Sequence, residues 1–453
     1  MNLTDVANKL VTLSEKTGAS QAEAFVTIVK TASVYIDNDI PKIGSLQSEI
    51  GAGLKYIMGK KIGFTSSTLA TESVQDVVDR AMSIAKVSSV DPKFVSLPDP
   101  KKASGSPDMF FDKRTANIAN EDLIGKAMEL VDATKSKIVT VPNGSLRASS
   151  VEFHVENSLG VDVGSKSTIV FGFFTAKSED SGKVGEGVQR CWSREIDTID
   201  FTKIGEKLQS KAVQVLEAEA FKGKWEDTIA VLAPSEGSEI LGTLIGSNSN
   251  AENVNTGSSA WTDTLGGSVA SDTLTVTDNG RSERGLMSAI VDDEGNPTQS
   301  TTLIKDGILK SYYFDNYTAL QSDVSSTGNG FRRNDREANG RFAVQAGCRS
   351  SSLEVAPGTK SLDDIIGEID RGIYIEHFAW PIVDAMSGAF SNEVRNARLI
   401  EKGELTKQVK YLLWVGNLLE SVKGEMMIGS DLEIHSRRIM PTIAFPGTEI
   451  VGQ

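Results

Sequence analysis

Val291-Asp-Asp-Glu-Gly-Asn-Pro-Thr-Gln-Ser-Thr-Thr-Leu-Ile-Lys-Asp-Gly-Ile-Leu-Lys-Ser-Tyr-Tyr-Phe-Asp315 reads as a polar turn centred on Gly295, Asn296 and Pro297, followed by two β-branched and aromatic runs. Asp306-Gly307 joins the runs, and this dipeptide favours the left-handed backbone of a two-residue hairpin loop. Tyr312, Tyr313, Phe314 and Tyr317 are expected to pack in that sheet. The hairpin carries no chemistry of its own, so function has to be read outward from it.

The chain has 453 residues, more than one core usually supports, so at least two domains are expected. Charged residues at 24% and hydrophobic ones at 39% fit a globular chain. The formal net charge of −14 repels phosphate backbones, which proteins bind by neutralising them with Lys and Arg. Direct nucleic-acid binding is therefore not expected. The opening Met1-Asn-Leu-Thr-Asp-Val-Ala-Asn-Lys-Leu10 has neither a basic start nor a continuous apolar core, so no export signal is expected. No run approaches the roughly 18 apolar residues of a membrane span. Cys191 and Cys348 form no disulfide framework and read as small buried thiols. A cytoplasmic location is the expectation.

Leu3, Val6, Ala7, Leu10 and Val11 mark an amphipathic helix that Gly18 can stop. Apolar strands are expected at Ala22 to Val29 and Ser33 to Ile36, then at Gly53 to Met58 and Ile62 to Ser66. Gly53 and Gly59-Lys60 are spaced too widely for a phosphate loop, and Lys61 stands where Ser or Thr is needed. Val74 to Ala85 and Leu123 to Val131 carry further helical stripes, and the prolines at 92, 98, 100 and 107 mark an exposed connection between them. Strands at Ser150 to Glu156 and Ser167 to Ala176, and a helix from about Thr202 to Ala220, complete an N-terminal mixed α/β domain over residues 1–223 with a largely antiparallel sheet.

Residues 224–453 read as a mainly β domain, a barrel or sandwich, so the whole chain is of the α+β class. It opens with a strand at Asp227 to Leu232 and a helix at about Ser235 to Ser247. Asn248 to Gly280, rich in Ser, Thr, Asn and Gly, is too long for an ordinary loop; it is either a lid or a set of short, poorly signalled strands. Another hairpin is expected around Glu401-Lys402-Gly403-Glu404.

The order of these signals resembles the TldD/PmbA family, the so-called modulators of DNA gyrase. Besides the central hairpin, the resemblance is carried by Gly51-Ala52-Gly53-Leu54-Lys55 with Gly63-Phe64-Thr65-Ser66-Ser67, by Asn157-Ser158-Leu159-Gly160, and by Ser387-Gly388-Ala389-Phe390-Ser391 with Leu399-Ile400-Glu401-Lys402-Gly403. It implies an N-terminal α/β domain and a mainly β C-terminal domain around a cavity. It also implies pairing of a TldD-like subunit with a TldE-like (PmbA) one in a zinc-dependent peptidase that degrades peptides and unfolded segments.

In the catalytic branch, the helix after the strand at Asp227 to Leu232 carries His-Glu-x-x-x-His, and a Cys near the C-terminus adds a ligand. Zinc hydrolysis needs such imidazole and thiolate ligands and a carboxylate beside the metal-bound water. Here the helix reads Leu241-Gly-Thr-Leu-Ile-Gly-Ser247, which places Gly242, Thr243 and Ser247 at the degenerate metal-site positions. The tail Glu433-Ile-His-Ser-Arg-Arg-Ile-Met-Pro441 has no Cys. His435 is read as a hydrogen-bonded residue, and His154 and His377 lie far from it in sequence.

No catalytic or metal-ligating residue and no cofactor is therefore expected in this chain, with zinc expected in a TldD-like partner. The chain reads as a TldE/PmbA-like subunit, inactive alone, that completes a chamber for peptide substrates in a heterodimer or a homodimer. A stand-alone hydrolase with an unrecognised site and a peptide-binding adaptor are the alternatives. Arg332, Arg333, Arg336 and Arg341, interrupted by Asp335 and Glu337, read as a solvated charged loop. Asp292-Asp293-Glu294 lacks the spacing of a calcium loop.

Overall fold

The computed structural model describes residues 2–68, 72–332 and 340–452. Strands β1 (Gln21–Asp37), β2 (Ile40–Met58), β3 (Lys61–Ser67), β4 (Val139–Asn157), β5 (Asp162–Asp180) and β6 (Lys183–Ser193) form one antiparallel sheet in the order β3-β2-β1-β4-β5-β6. The two short strands expected before residue 37 are one long β1. The outer half of β2 escapes sequence reading because most of its side chains face solvent and carry no apolar alternation.

Helices cover one face of this sheet. Helix α1 (Leu3–Lys16) and helix α2 (Val74–Val87) bury Leu10, Val77 and Ala81 against Ala24, Val26 and Leu54. The helices Asn120–Thr134 and Phe201–Leu216 cover Val34, Ile36, Leu146 and Phe174. Side chains alternate across a strand, so Glu23 and Phe25 of β1 point the other way, toward the C-terminal half. The proline-rich connection is irregular, as expected, but it is not simply exposed: Phe94 and Leu97 are buried against Ile57.

In the C-terminal half, five strands close on themselves. Lys224–Leu232 pairs with Arg371–Phe378, which pairs with Ala389–Glu401, then Leu412–Asn417, then Ile443–Gly452, which returns to Lys224–Leu232. The barrel interior is built on Trp414, whose ring lies 4.0 Å from Phe390, 5.5 Å from Phe378 and 6.3 Å from Phe445 between centroids. The hairpin expected near residue 402 forms, with Lys402 and Gly403 both left-handed. Beside the barrel, a second sheet runs Ile308–Leu309, Ser300–Lys305, Val276–Asn279, Leu353–Val355, Arg438–Met440, Glu433–His435. Between them lies the buried helix Pro234–Asn248, which contributes Ile240, Leu241, Leu244 and Ile245 to the shared core.

Three features of this half add to the sequence reading. Asn248 to Gly280 is no lid: Trp261, Val269, Ala270 and Leu274 are core residues, and the segment supplies a short helix (Ala251–Asn255) and the strand Val276–Asn279. The Asp306-Gly307 turn forms, with φ of 50° and 74°, but its second strand is only Ile308–Leu309. The aromatic run then leaves the sheet, and Tyr317 lies in the helix Asn316–Gln321. Hydroxyl bonds hold it instead: Tyr312 donates to the Trp261 carbonyl (2.6 Å), Tyr313 to that of Gly246 (2.5 Å) and Tyr317 to Asp91 (2.9 Å). Lastly, the polar turn at Asp292 to Asn296 is buried. Gly295 packs so closely on Val161 that a Cβ would stand 2.4 Å from its Cγ1.

Candidate functional site

The helix Pro234–Asn248 starts with Pro at its first turn, where the missing N–H costs nothing, and it buries nearly all of its surface. Gly242 and Thr243 face the strand Arg438–Met440. The Arg438 side chain lies directly over Gly242: a Cβ there would stand 2.5 Å from both Cδ and Nε. Its Nη2 donates to Thr243 Oγ1 (3.1 Å) and its Nη1 to Glu239 Oε2 (3.3 Å). The Arg438 side chain is 12% exposed. Ser247 is half-buried farther along the helix, and its carbonyl accepts from Asn253 Nδ2. These residues do not fit zinc. They supply no imidazole, carboxylate or thiolate at the three positions, and a permanent cation occupies the space in front of Gly242.

Beside the N-terminal end of this helix opens a cavity of about 270 Å³, walled by β6, the helix Phe201–Leu216, the strand Arg371–Phe378 and the strand Glu433–His435. It brings together His377 and His435, two histidines with no sequence proximity. His377 Nδ1 stands 3.7 Å from Glu236 Oε1, and Glu236 Oε2 accepts the Phe378 N–H at 3.0 Å. Burial alone would raise the Glu236 carboxyl, but His377 and the Phe378 N–H outweigh it and hold its pKa below the ordinary value. His435 Nε2 lies 3.3 Å from Glu433 Oε2, and this bond holds Glu433 low. Lys211 is lowered by burial, against the pull of Glu376, Glu236 and Glu433. Among the described residues no serine, threonine or tyrosine hydroxyl is recorded bonded to His377 or His435, so the nucleophile–base pair of a serine hydrolase is not assembled here. Such a cavity suits a ligand bearing both charges. No motif announces it, because its groups come one or two at a time from separate elements.

Arg332 and Arg341 are not solvated. Arg332 is fully buried in an ion pair with Glu23, donates from its backbone N–H to Asp293 Oδ2 (2.7 Å), and sets its guanidinium 5.0 Å from the Phe25 ring centroid. Lys55 stands 3.5 Å from the same Glu23. Arg341 pairs with Asp293 and lies 5.2 Å from the Phe153 ring. These two guanidinium groups are therefore committed to internal carboxylates. Arg333, Asp335, Arg336 and Glu337 lie outside the described residues. The acidic turn is likewise internal: Asp292 accepts the backbone N–H groups of Glu294 (3.0 Å), Asn296 (2.8 Å) and Gly330 (2.9 Å). Its burial still pushes its carboxyl up to about 8, and Glu294 is raised by burial and by Asp315. Cys191 and Cys348 are buried free thiols, the former pushed up to about 12 by burial; neither is a poised nucleophile.

Three metallopeptidase domain models match the chain in order: PmbA/TldA metallopeptidase domain 1 over residues 22–85, the central domain over 113–216 and the C-terminal domain over 226–452. The chain belongs to the PmbA/TldD metallopeptidase family. It is 27% identical over 425 residues to the metalloprotease TldD homolog of Buchnera aphidicola subsp. Acyrthosiphon pisum, covering 89% of this chain and 83% of that one. It is 22% identical over 436 residues to the metalloprotease PmbA of Escherichia coli O157:H7, covering 95% and 92%. The structure superposes on TldE from Thermococcus kodakarensis with a TM-score of 0.88 over 99% of this chain and 100% of that one, at 23% identity. TldD and PmbA relatives both align along most of the chain, so its own residues on the helix Pro234–Asn248 have to distinguish the branch. The first sheet runs without a break through the regions matched by the first two models.

Proposed function

We propose that this chain is the non-catalytic, TldE/PmbA-like subunit of a zinc-dependent peptidase, completing the substrate chamber for peptides or unfolded segments. A TldD-like partner supplies the zinc. The observation that carries this reading is Arg438 over Gly242: a fixed positive charge and a glycine stand where the catalytic branch needs imidazole and metal. Without a metal-bound water or the carboxylate that accepts its proton, several kcal/mol of transition-state stabilisation are missing, on the order of many powers of ten in rate. The role left to this chain is structural and substrate-facing. The mixed-charge cavity at Glu236, His377 and His435 favours, as a second reading, an adaptor that holds peptides without cutting them.

Co-purification with a TldD-like paralogue tests both. The expected result is a stable complex with chelator-sensitive peptidase activity, lost when the partner's own His-Glu-x-x-x-His is mutated and absent from this chain alone. Chelator-sensitive cleavage by this chain alone, freed of contaminants, overturns the subunit reading. Peptide binding without any partner selects the adaptor.

A further inference from the structure

A second cluster of candidate ligands lies far from the helix Pro234–Asn248, on the helix-covered face of the first sheet. In the antiparallel register of β4 and β5, Glu156 faces Asp162 and His154 faces Gly164. Residues two apart on a strand share a face, so His154, Glu156 and the cross-strand Asp162 converge. One ligand atom from each lies within 4.8 Å of the other two. Helix α1 crosses this face, where Asn8 Nδ2 donates to Glu156 Oε1 (2.9 Å) and Thr4 Oγ1 lies 3.5 Å from His154 Nδ1. Gly164 leaves room for the imidazole: a Cβ there would come within 3.2 Å of Nδ1.

Two observations separate this trio from an ordinary ion pair. His154 Nε2 stands 2.8 Å from Asp162 Oδ1 and is sealed from solvent, but the two are not aligned as a hydrogen bond, so the nitrogen is left without one. And two carboxylates meet here without a Lys or Arg ion pair recorded to either among the described residues. A divalent cation would relieve their repulsion.

We propose that His154, Glu156 and Asp162 form a binding site for a first-row divalent cation that fastens the sheet edge beneath α1. One imidazole and two carboxylates match zinc best, the carboxylates alone being equally suited to manganese. The Asp162 side chain is 63% exposed, leaving water to complete the shell. The trio shares no residue with the cavity lined by Glu236, His377 and His435.

Titration of the chelator-stripped full chain with zinc, followed by calorimetry and by thermal unfolding, tests this. The expected result is one zinc per chain and a raised Tm, with affinity falling at least about tenfold in both His154→Gln and Asp162→Asn and unchanged in His377→Gln and His435→Gln. Asp162 is exposed, so Asp162→Asn remains informative should His154→Gln fold poorly. No zinc uptake by the wild-type chain, uptake untouched by Asp162→Asn, or loss only with the His377 and His435 variants overturns the proposal and leaves His154 and Asp162 as an ion pair only.

Discussion

Arg332 and Glu23 form an ion pair in which neither side chain reaches solvent, and that pair joins the segment after residue 330 to the first strand of the first sheet. Removing Arg332 leaves the buried Glu23 with Lys55, 3.5 Å away, as its recorded cationic partner, so the cost stays at or below the about 3–5 kcal/mol of breaking a buried pair. Arg332→Leu is expected to destabilise the chain by up to that amount in denaturant unfolding. The triple change Arg332→Met with Glu23→Leu and Lys55→Met removes every member of the charge group and should recover most of it; a triple variant as unstable as the single one would show that the guanidinium stacking on Phe25 matters more than its charge.

Gly242 and Arg438 should be coupled in a double-mutant cycle. Gly to Ala in a helix interior ordinarily gains about 1 kcal/mol, but here the new Cβ collides with the Arg438 side chain. Gly242→Ala is expected to destabilise the wild-type chain and to be neutral or stabilising in an Arg438→Ala background. Additive effects in thermal unfolding would refute the steric relationship.

Rebuilding the motif with Gly242→His, Thr243→Glu and Ser247→His is expected to give no chelator-sensitive peptidase. Arg438 still occupies the space, no Cys follows in the tail, and the groups that orient imidazoles around a metal are not in place. Peptide turnover is the readout, and any metal bound by this triple variant should disappear with Asp162→Asn. Turnover abolished by chelator and indifferent to Asp162→Asn would sink the prediction.

The buried turn makes stability depend on pH in a definite direction. The Asp292 carboxyl rises from an ordinary 3.8 to about 8 in the folded chain, so the folded state holds the extra proton between those values. The stability this lends is full below about pH 4 and is lost as pH rises through 8. Asp292→Asn sacrifices a carboxylate acceptor at all pH values but does not titrate. The stability gap between the wild-type chain and Asp292→Asn should therefore narrow from pH 5 to pH 9 in urea unfolding; a widening gap would mean the three backbone N–H donors dominate.

Trp414 fills the barrel interior against Phe378, Phe390 and Phe445. Trp414→Ala should cost about 3–5 kcal/mol and lower the Tm of the C-terminal half. Near-native unfolding would place the barrel's stability elsewhere.

What sequence reading recovered follows from how local each signal is. The Asp306-Gly307 and Lys402-Gly403 turns were legible because their left-handed backbone demands particular residues, and the helix Pro234–Asn248 because its strand and turn precede it directly. The outer half of β2 was not, since exposed strands lose their alternation. Arg332 and Arg341 read as solvated because burial of a charge depends on a carboxylate far away in sequence, Glu23 for one and Asp293 for the other. For the same reason His377 and His435 appeared unrelated although they line one cavity. The family resemblance supplied what local patterns could not, namely which helix to inspect for the metal ligands.

The barrel closes through pairing of Lys224–Leu232 with Ile443–Gly452, two strands separated by almost the whole C-terminal half. Contacts between such distant segments slow folding, because a long loop must be ordered before the pairing rewards it. During synthesis, the helix Pro234–Asn248 and the apolar face of Lys224–Leu232 thus wait without their final cover until Ile443–Gly452 leaves the ribosome. The interval in which this half is exposed to aggregation or proteolysis is set by the arrival of that one strand.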